Sequence, residues 1–207
     1  YREAYRETPA IIERLCELFD EYGVSATWAV VAHLFADCDG HDADGQSGNP
    51  DLTDTGRAEW LANAPCSTGV DRSLWYAPEL LTTIRGCSTH QDIGLHGYSH
   101  LVFGDHSRAA AEAEFADALA AARDVGLDPS SFVFPRNKIA HVDVLTEHGL
   151  DVYRGVDARW YEQTPLGPGR KPLRFLDEAI ARTPPVVRPT ESDGIVCLPG
   201  SQVFRPE

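Results

Sequence analysis

Asp92-Ile93-Gly94-Leu95-His96-Gly97-Tyr98-Ser99-His100 is the stretch on which the reading of this chain turns. An apolar segment, read as a strand over Asp92 to His96, ends in a histidine, and a second histidine follows four residues later. If the segment after the strand turns helically, both imidazoles point to one side of it. Two convergent histidines at the C-terminal end of a strand make half of a first-row metal site, and a carboxylate and water would complete it in the catalytic zinc pattern. Spacing alone is a weak signal, because a short His-x-x-x-His pattern recurs by chance. Its position directly after a strand favours a metal over two unrelated histidines.

Outward from this stretch, helices and strands alternate. Glu7 to Tyr22 has Ile11, Ile12, Leu15, Leu18 and Phe19 at helical spacing, with Thr8 as N-cap, Pro9 in the first turn and Gly23 as the stop. Val24 to Ala32 reads as a buried strand. Ala77 to Arg85 reads as a helix, Ser107 to Val125 as an alanine-rich helix ending near Gly126, and Ser131 to Phe134 as a strand. A helix over Ala140 to His148 stops at Gly149, and a strand follows at Asp151 to Arg154. Leu173 to Ala181 and Gly194 to Leu198 complete the series as helix and strand. Such alternation implies parallel strands with helices outside, either a barrel or an open sheet, with chemistry at the C-terminal ends of the strands. The exception is the acidic, Gly-, Asn- and Pro-rich stretch at about 36–74, read as a long loop with a short helix near Thr55 to Leu61. Loops of that length are uncommon unless they serve a site or lack order.

Composition bounds the class. The 207 residues suffice for one domain, 1–207, and a hydrophobic fraction of 43% is that of a globular protein. The formal net charge of -14 comes from 32 acidic against 18 basic residues. Such a surface repels nucleic acid and anionic membranes. Lys138 and Lys171 are the only lysines, and an acidic, lysine-poor surface resembles that of proteins from salt-loving organisms, where molar salt screens the charge. No apolar run is long enough to span a bilayer. The five cysteines (Cys16, Cys38, Cys66, Cys87 and Cys197) form no Cys-x-x-Cys pair, so scattered free thiols in a reducing cytosol are the expectation.

The segment from His96 to His100 resembles the His-x-x-x-His metal motif of the polysaccharide deacetylases, the NodB-homology carbohydrate esterases. The likeness runs from about Thr8 to Gly155. Gly23-Val24-Ser25-Ala26-Thr27-Trp28 looks like the family's strand after the first helix. Ser131-Phe132-Val133-Phe134-Pro135-Arg136-Asn137 sits where the family carries its arginine-and-proline motif, and Leu145 to Arg154 resembles the helix and strand that follow. The resemblance implies a distorted, incomplete (β/α) barrel and one divalent metal, often zinc, held by an Asp and two His. It implies hydrolysis of N-acetyl or O-acetyl groups on a carbohydrate by a metal-activated water, with a carboxylate taking the proton. His96 and His100 map onto the two histidine ligands, and Arg136 onto the arginine that orients the base or binds substrate.

The chain departs from the pattern in three places. The family's first motif, with its base and metal-ligand aspartates, would precede Thr8, and the expectation is that it lies upstream of Tyr1. The arginine motif usually reads Arg-x-Pro, whereas here Pro135 precedes Arg136. The late Leu-His pair has no counterpart, because no histidine follows His148, and truncation at both ends is expected. Should an internal carboxylate complete the metal site, Asp105 is the first candidate.

Tyr98 and Ser99 lie between the two ligands and shape a pocket. Trp160 and Tyr161, after a strand and beside Asp157 and Arg159, suit stacking on a sugar ring, although such aromatics often cap a core instead. Trp75 and Tyr76 invite the same two readings. His106 reads as a surface histidine, and His141 and His148 as structural ones in a helix. No Gly-x-Ser-x-Gly elbow supports a serine hydrolase. Two functional classes stay open: a metal-dependent deacetylase, with an amide or cyclic-imide hydrolase as its near variant, and a non-catalytic carbohydrate-binding relative.

Overall fold

The computed structural model describes residues 2–35, 76–156, 170–179 and 186–200. The elements in chain order are α1 (Arg2–Tyr22), β1 (Thr27–Val30), α2 (Glu79–Arg85), β2 (Asp92–Leu95), α3 (Arg108–Asp124), β3 (Ser131–Val133), α4 (Val142–Glu147), β4 (Val152–Gly155), α5 (Arg170–Ala179), β5 (Thr190–Ser192) and β6 (Ile195–Pro199). Short 3-10 turns at Ala32–Phe35, Phe103–Asp105 and Pro135–Asn137 follow β1, β2 and β3. The strands form one sheet of order β1-β2-β3-β4-β6-β5, parallel throughout except for β5, which runs antiparallel to β6. This is the α/β architecture expected from the alternating pattern. Among the described residues no helix is long and apolar enough to cross a membrane.

The core lies between the sheet and α3. The alanines of α3 let it approach closely: Ala110, Ala111, Ala113, Ala118 and Ala122 are buried beside Phe115 and Leu119. Phe132 and Phe134, two residues apart on β3 and its continuation, point to the same side; Phe132 meets Phe115 edge-on and Phe103 at a tilt, and Phe134 meets Phe103 edge-on. Centroid separations in this cluster run from 4.9 Å for Phe132–Phe134 to 5.6 Å for Phe103–Phe134, the range in which aromatic quadrupoles attract. At the other end of the strands, Gln91 uses its whole amide: Oε1 accepts from the Trp28 indole and the Ala26 amide, and Nε2 donates to the carbonyls of Val24 and Thr89. That staple aligns the starts of β1 and β2.

Several local expectations are revised. α1 begins at Arg2, so Pro9 is interior and Thr8 is no N-cap. A proline there forfeits the bond to the Tyr5 carbonyl, a cost of about 3 kcal/mol that the helix absorbs by packing against α2. β1 is shorter than the expected buried strand and only half covered, with Thr27 and Ala29 exposed and Trp28 and Val30 partly buried. Among the described strands β1 pairs with β2 alone, and an edge strand alternates in burial. The helix stops were legible: at Gly23 the Val24 amide donates to the Phe19 carbonyl and the Gly23 amide to that of Asp20, a Schellman closure that requires the positive φ of 63°. The helix expected near Thr55 to Leu61 lies outside the described residues.

Candidate metal centre

The parallel strands bring the ends of β1, β2 and β3 to one edge, and the His96–His100 segment crosses that edge. Its backbone is tied to the chain leaving β1 on one side. The His96 amide donates to the Val30 carbonyl at 2.8 Å, and the carbonyls of Gly97 and Tyr98 accept from the amides of Ala32 and His33 at 2.9 and 3.0 Å. The segment is not helical, contrary to the condition set for convergence. It turns instead through two left-handed residues, Gly97 at φ 82° and His100 at φ 66°. This turn brings the rings together: the centroids of His96 and His100 are 4.9 Å apart at an interplanar angle of 68°.

His96 is half-buried and His100 exposed. On the β3 side, His96 Nδ1 lies 2.6 Å from the Val133 carbonyl. A carbonyl can only accept, so Nδ1 carries the proton and Nε2 keeps its lone pair. Burial pushes the His96 imidazole below its ordinary pKa, the Val133 bond works in the opposite direction, and the neighbouring His100 lowers it further. The net effect favours the neutral, ligating form.

These facts bear on whether the pair fits a metal. Two imidazoles on one tetrahedral ion, with bonds of about 2.1 Å, would have centroids about 5 Å apart. The observed separation matches, and the carbonyl on Nδ1 is the outer partner that orients metal-binding histidines. Among the described residues no group of three or more His, Cys, Asp and Glu side chains is placed to hold an ion. Asp105, the internal carboxylate considered first, instead holds Lys138 at 2.7 Å through both oxygens, and this bond chiefly keeps it below its ordinary pKa.

The other candidates fall as follows. Arg136 lies in the 3-10 turn after β3, exposed, with a left-handed backbone at φ 56° and with Asn137 left-handed after it at φ 54°. Consecutive left-handed residues other than glycine are strained, and such strain concentrates at functional loops. Tyr98 is half-buried and turns inward, its hydroxyl hydrogen-bonded to Nδ1 of the buried His33 at 3.3 Å. Trp160 and Tyr161, like Trp75, Asp157 and Arg159, lie outside the described residues. Tyr76 is buried against His33. His106 accepts, through its carbonyl, a bond from the His141 ring at 2.9 Å, and His148 pairs with Glu112 at 2.6 Å; His141 and His148 flank α4.

One residue near the site escapes sequence reasoning. Glu114, fully buried on α3, accepts from the Ser99 amide at 2.6 Å and the Leu101 amide at 3.3 Å through Oε1, and from the Ser99 hydroxyl at 2.9 Å through Oε2. Its place in the first half of an alanine-rich helix gives no hint that it faces inward. Comparison with known proteins found no family model that matches the chain and no curated protein that matches it.

Proposed function

We propose that this chain carries the histidine half of a metal-dependent deacetylase site, in a domain of the polysaccharide deacetylase type acting on N-acetylated sugars. The observation that carries the reading is the His96–His100 pair. The rings sit at a separation suited to one ion, at the C-terminal edge of a parallel sheet, with Nδ1 of His96 held by a backbone carbonyl and Nε2 left to ligate. A divalent ion, zinc by the nature of these donors, would supply Lewis acidity and a lowered water pKa. The chain's own residues bind and orient: His96 is aimed by Val133, His100 by the turn through Gly97, and Arg136 stands at the end of the neighbouring strand.

The strand order supports a barrel-like winding. β1, β2, β3 and β4 lie side by side in chain order and β6 follows in the same direction. Right-handed crossovers that always step the same way leave the helices on one face, as in a (β/α) barrel, whereas a doubly wound sheet reverses its order. The acidic surface agrees with a neutral or cationic glycan rather than a polyanion as substrate.

The test is a zinc titration by calorimetry beside an acetate-release assay on an N-acetylglucosamine oligomer, for the full-length protein, in which the aspartate motif expected before Thr8 can contribute, and for its His96→Ala variant. Zinc binding by the wild type that His96→Ala abolishes supports the site, and acetate release lost in the same variant supports the reaction. Equal zinc binding by both proteins sinks the reading.

A further inference from the structure

We infer that Glu114 is the positioning residue of the histidine pair: its carboxylate clamps the loop on both sides of His100 and so holds that ring against His96. The inference rests on the metal reading only for its effect on affinity. Its conformational part stands on the geometry alone.

One oxygen, Oε1, collects the amides of Ser99 and Leu101, the residues that bracket His100. Backbone amides that converge on one anion in this way form a concavity whose shape follows the anion. His100 sits between them with φ 66°, a conformation that costs an ordinary side chain about 1–2 kcal/mol and persists only where surrounding bonds impose it. The Ser99 hydroxyl, bonded to Oε2, fixes the second carboxylate oxygen and with it the rotation of the group. Gly97 completes the fit. A Cβ there would stand 2.9 Å from Glu114 Oε1, and its φ of 82° suits glycine. The carboxylate therefore occupies space that only a glycine at 97 leaves open.

A buried carboxylate is costly, and the compensation includes three hydrogen bonds from Ser99 and Leu101, the residues on either side of His100. That α3 spends a fully buried carboxyl group on this segment, while its other buried residues are alanines, Phe115 and Leu119, separates Glu114 from ordinary core packing. An apolar residue of similar volume would satisfy the core and leave two loop amides without their acceptor.

The experiment uses the intact chain with Glu114→Gln, Glu114→Leu and Gly97→Ala. It reads three quantities: amide exchange at Ser99 and Leu101, the nuclear Overhauser contact between the His96 and His100 rings, and zinc affinity. Gln retains an oxygen for both amides and a nitrogen that the Ser99 hydroxyl can accept from, so Glu114→Gln should keep protection, ring contact and most of the affinity. Glu114→Leu should lose amide protection and ring contact, and its zinc affinity should fall about 10- to 100-fold, the range for loss of an outer partner of a metal ligand. Gly97→Ala should do the same from the opposite side, and it carries the test if Glu114→Leu fails to fold. A folded Glu114→Leu or Gly97→Ala protein with wild-type ring contact and zinc affinity overturns the inference. So does a Gln variant as damaged as the Leu variant, since rescue by a neutral acceptor is what the geometry requires. If the wild type binds no zinc yet its ring contact depends on Glu114, the metal reading fails and the positioning role stands.

Discussion

His96 Nδ1 and the Val133 carbonyl oxygen are 2.6 Å apart, so the last residue of β3 sets the tautomer of the histidine that follows β2. The expected outcome is a neutral His96 with its proton on Nδ1 and an unprotonated Nε2 directed toward His100. Nitrogen-15 chemical shifts of the ring distinguish the tautomers directly. A proton on Nε2 at neutral pH would contradict the assignment and remove the ligating atom.

Because Val133 acts through its backbone, side-chain substitution there should leave the tautomer unchanged, whereas His96→Ala should abolish zinc binding. His96 is half-buried at a strand end, and the stability cost of that change should stay within about 1 kcal/mol, well under the cost of a core truncation. Urea unfolding measured beside the zinc titration checks both halves. A loss of binding that comes with unfolding at low urea would point to a structural role for the ring.

Phe132 is the opposite case. It is fully buried and meets Phe103, Phe115 and Phe134 at centroid distances of 4.9 to 5.4 Å. Phe132→Ala should cost about 3–5 kcal/mol, since the aromatic neighbours cannot collapse into the space left behind. Urea unfolding reads this, and a loss below about 1 kcal/mol would mean that the cluster repacks freely.

The contrast between these two residues marks what is legible in a sequence. Phe132 and the helix stops at Gly23 and Gly149 announce themselves by apolar period and by glycine after a periodic run, so the order of helices and parallel strands can be read in advance. His96 and His100 are legible as a pair because their spacing follows a strand. What closes them is not legible. The Val133 carbonyl has no side-chain signature, and Glu114 lies 15 residues from Ser99 in an alanine-rich helix where a glutamate, like Glu112 two residues before it, looks like a solvated charge. The loop geometry rests on positive φ at His100, which residue identity does not announce. The β5–β6 hairpin carries its own sequence signal: Asp193-Gly194, with φ of 55° and 79°, is the two-residue turn that joins antiparallel strands.

Asp20 predicts an acid limb in stability. At the end of α1 its two oxygens accept from the amides of Ser88 at 2.9 Å and Thr89 at 2.8 Å, ahead of β2. These backbone bonds, Ser88 first, hold its carboxyl below the ordinary value of 3.8. The unfolded chain therefore takes up the proton at a higher pH than the folded one. The contribution is complete above 3.8 and is lost as pH falls through the lower folded value. Asp20→Asn should lower the urea midpoint at neutral pH, and the gap to wild type should narrow as pH drops below about 4. A gap that is constant with pH would assign the effect to something other than this carboxylate.

The strained turn after β3 offers a test that separates stability from activity. Arg136 and Asn137 follow one another in the left-handed region, and both are exposed. Holding an arginine there costs about 1–2 kcal/mol, whereas a glycine adopts the same backbone without that penalty. Glycine also gains freedom in the unfolded chain, which returns about 0.5–1 kcal/mol, so the net prediction for Arg136→Gly is a stabilisation of about 0.5–1 kcal/mol. If the arginine only decorates a loop, nothing else should change. If it orients substrate beside the histidine pair, as the deacetylase reading holds, kcat/KM on an N-acetylglucosamine oligomer should fall about 100-fold while zinc affinity stays at the wild-type value. Arg136→Lys should not rescue it, because a single ammonium lacks the planar fork of donors that a guanidinium presents. A glycine variant that is both less stable and fully active would mean that the left-handed turn is held by contacts of Arg136 itself, and that its strain serves no site.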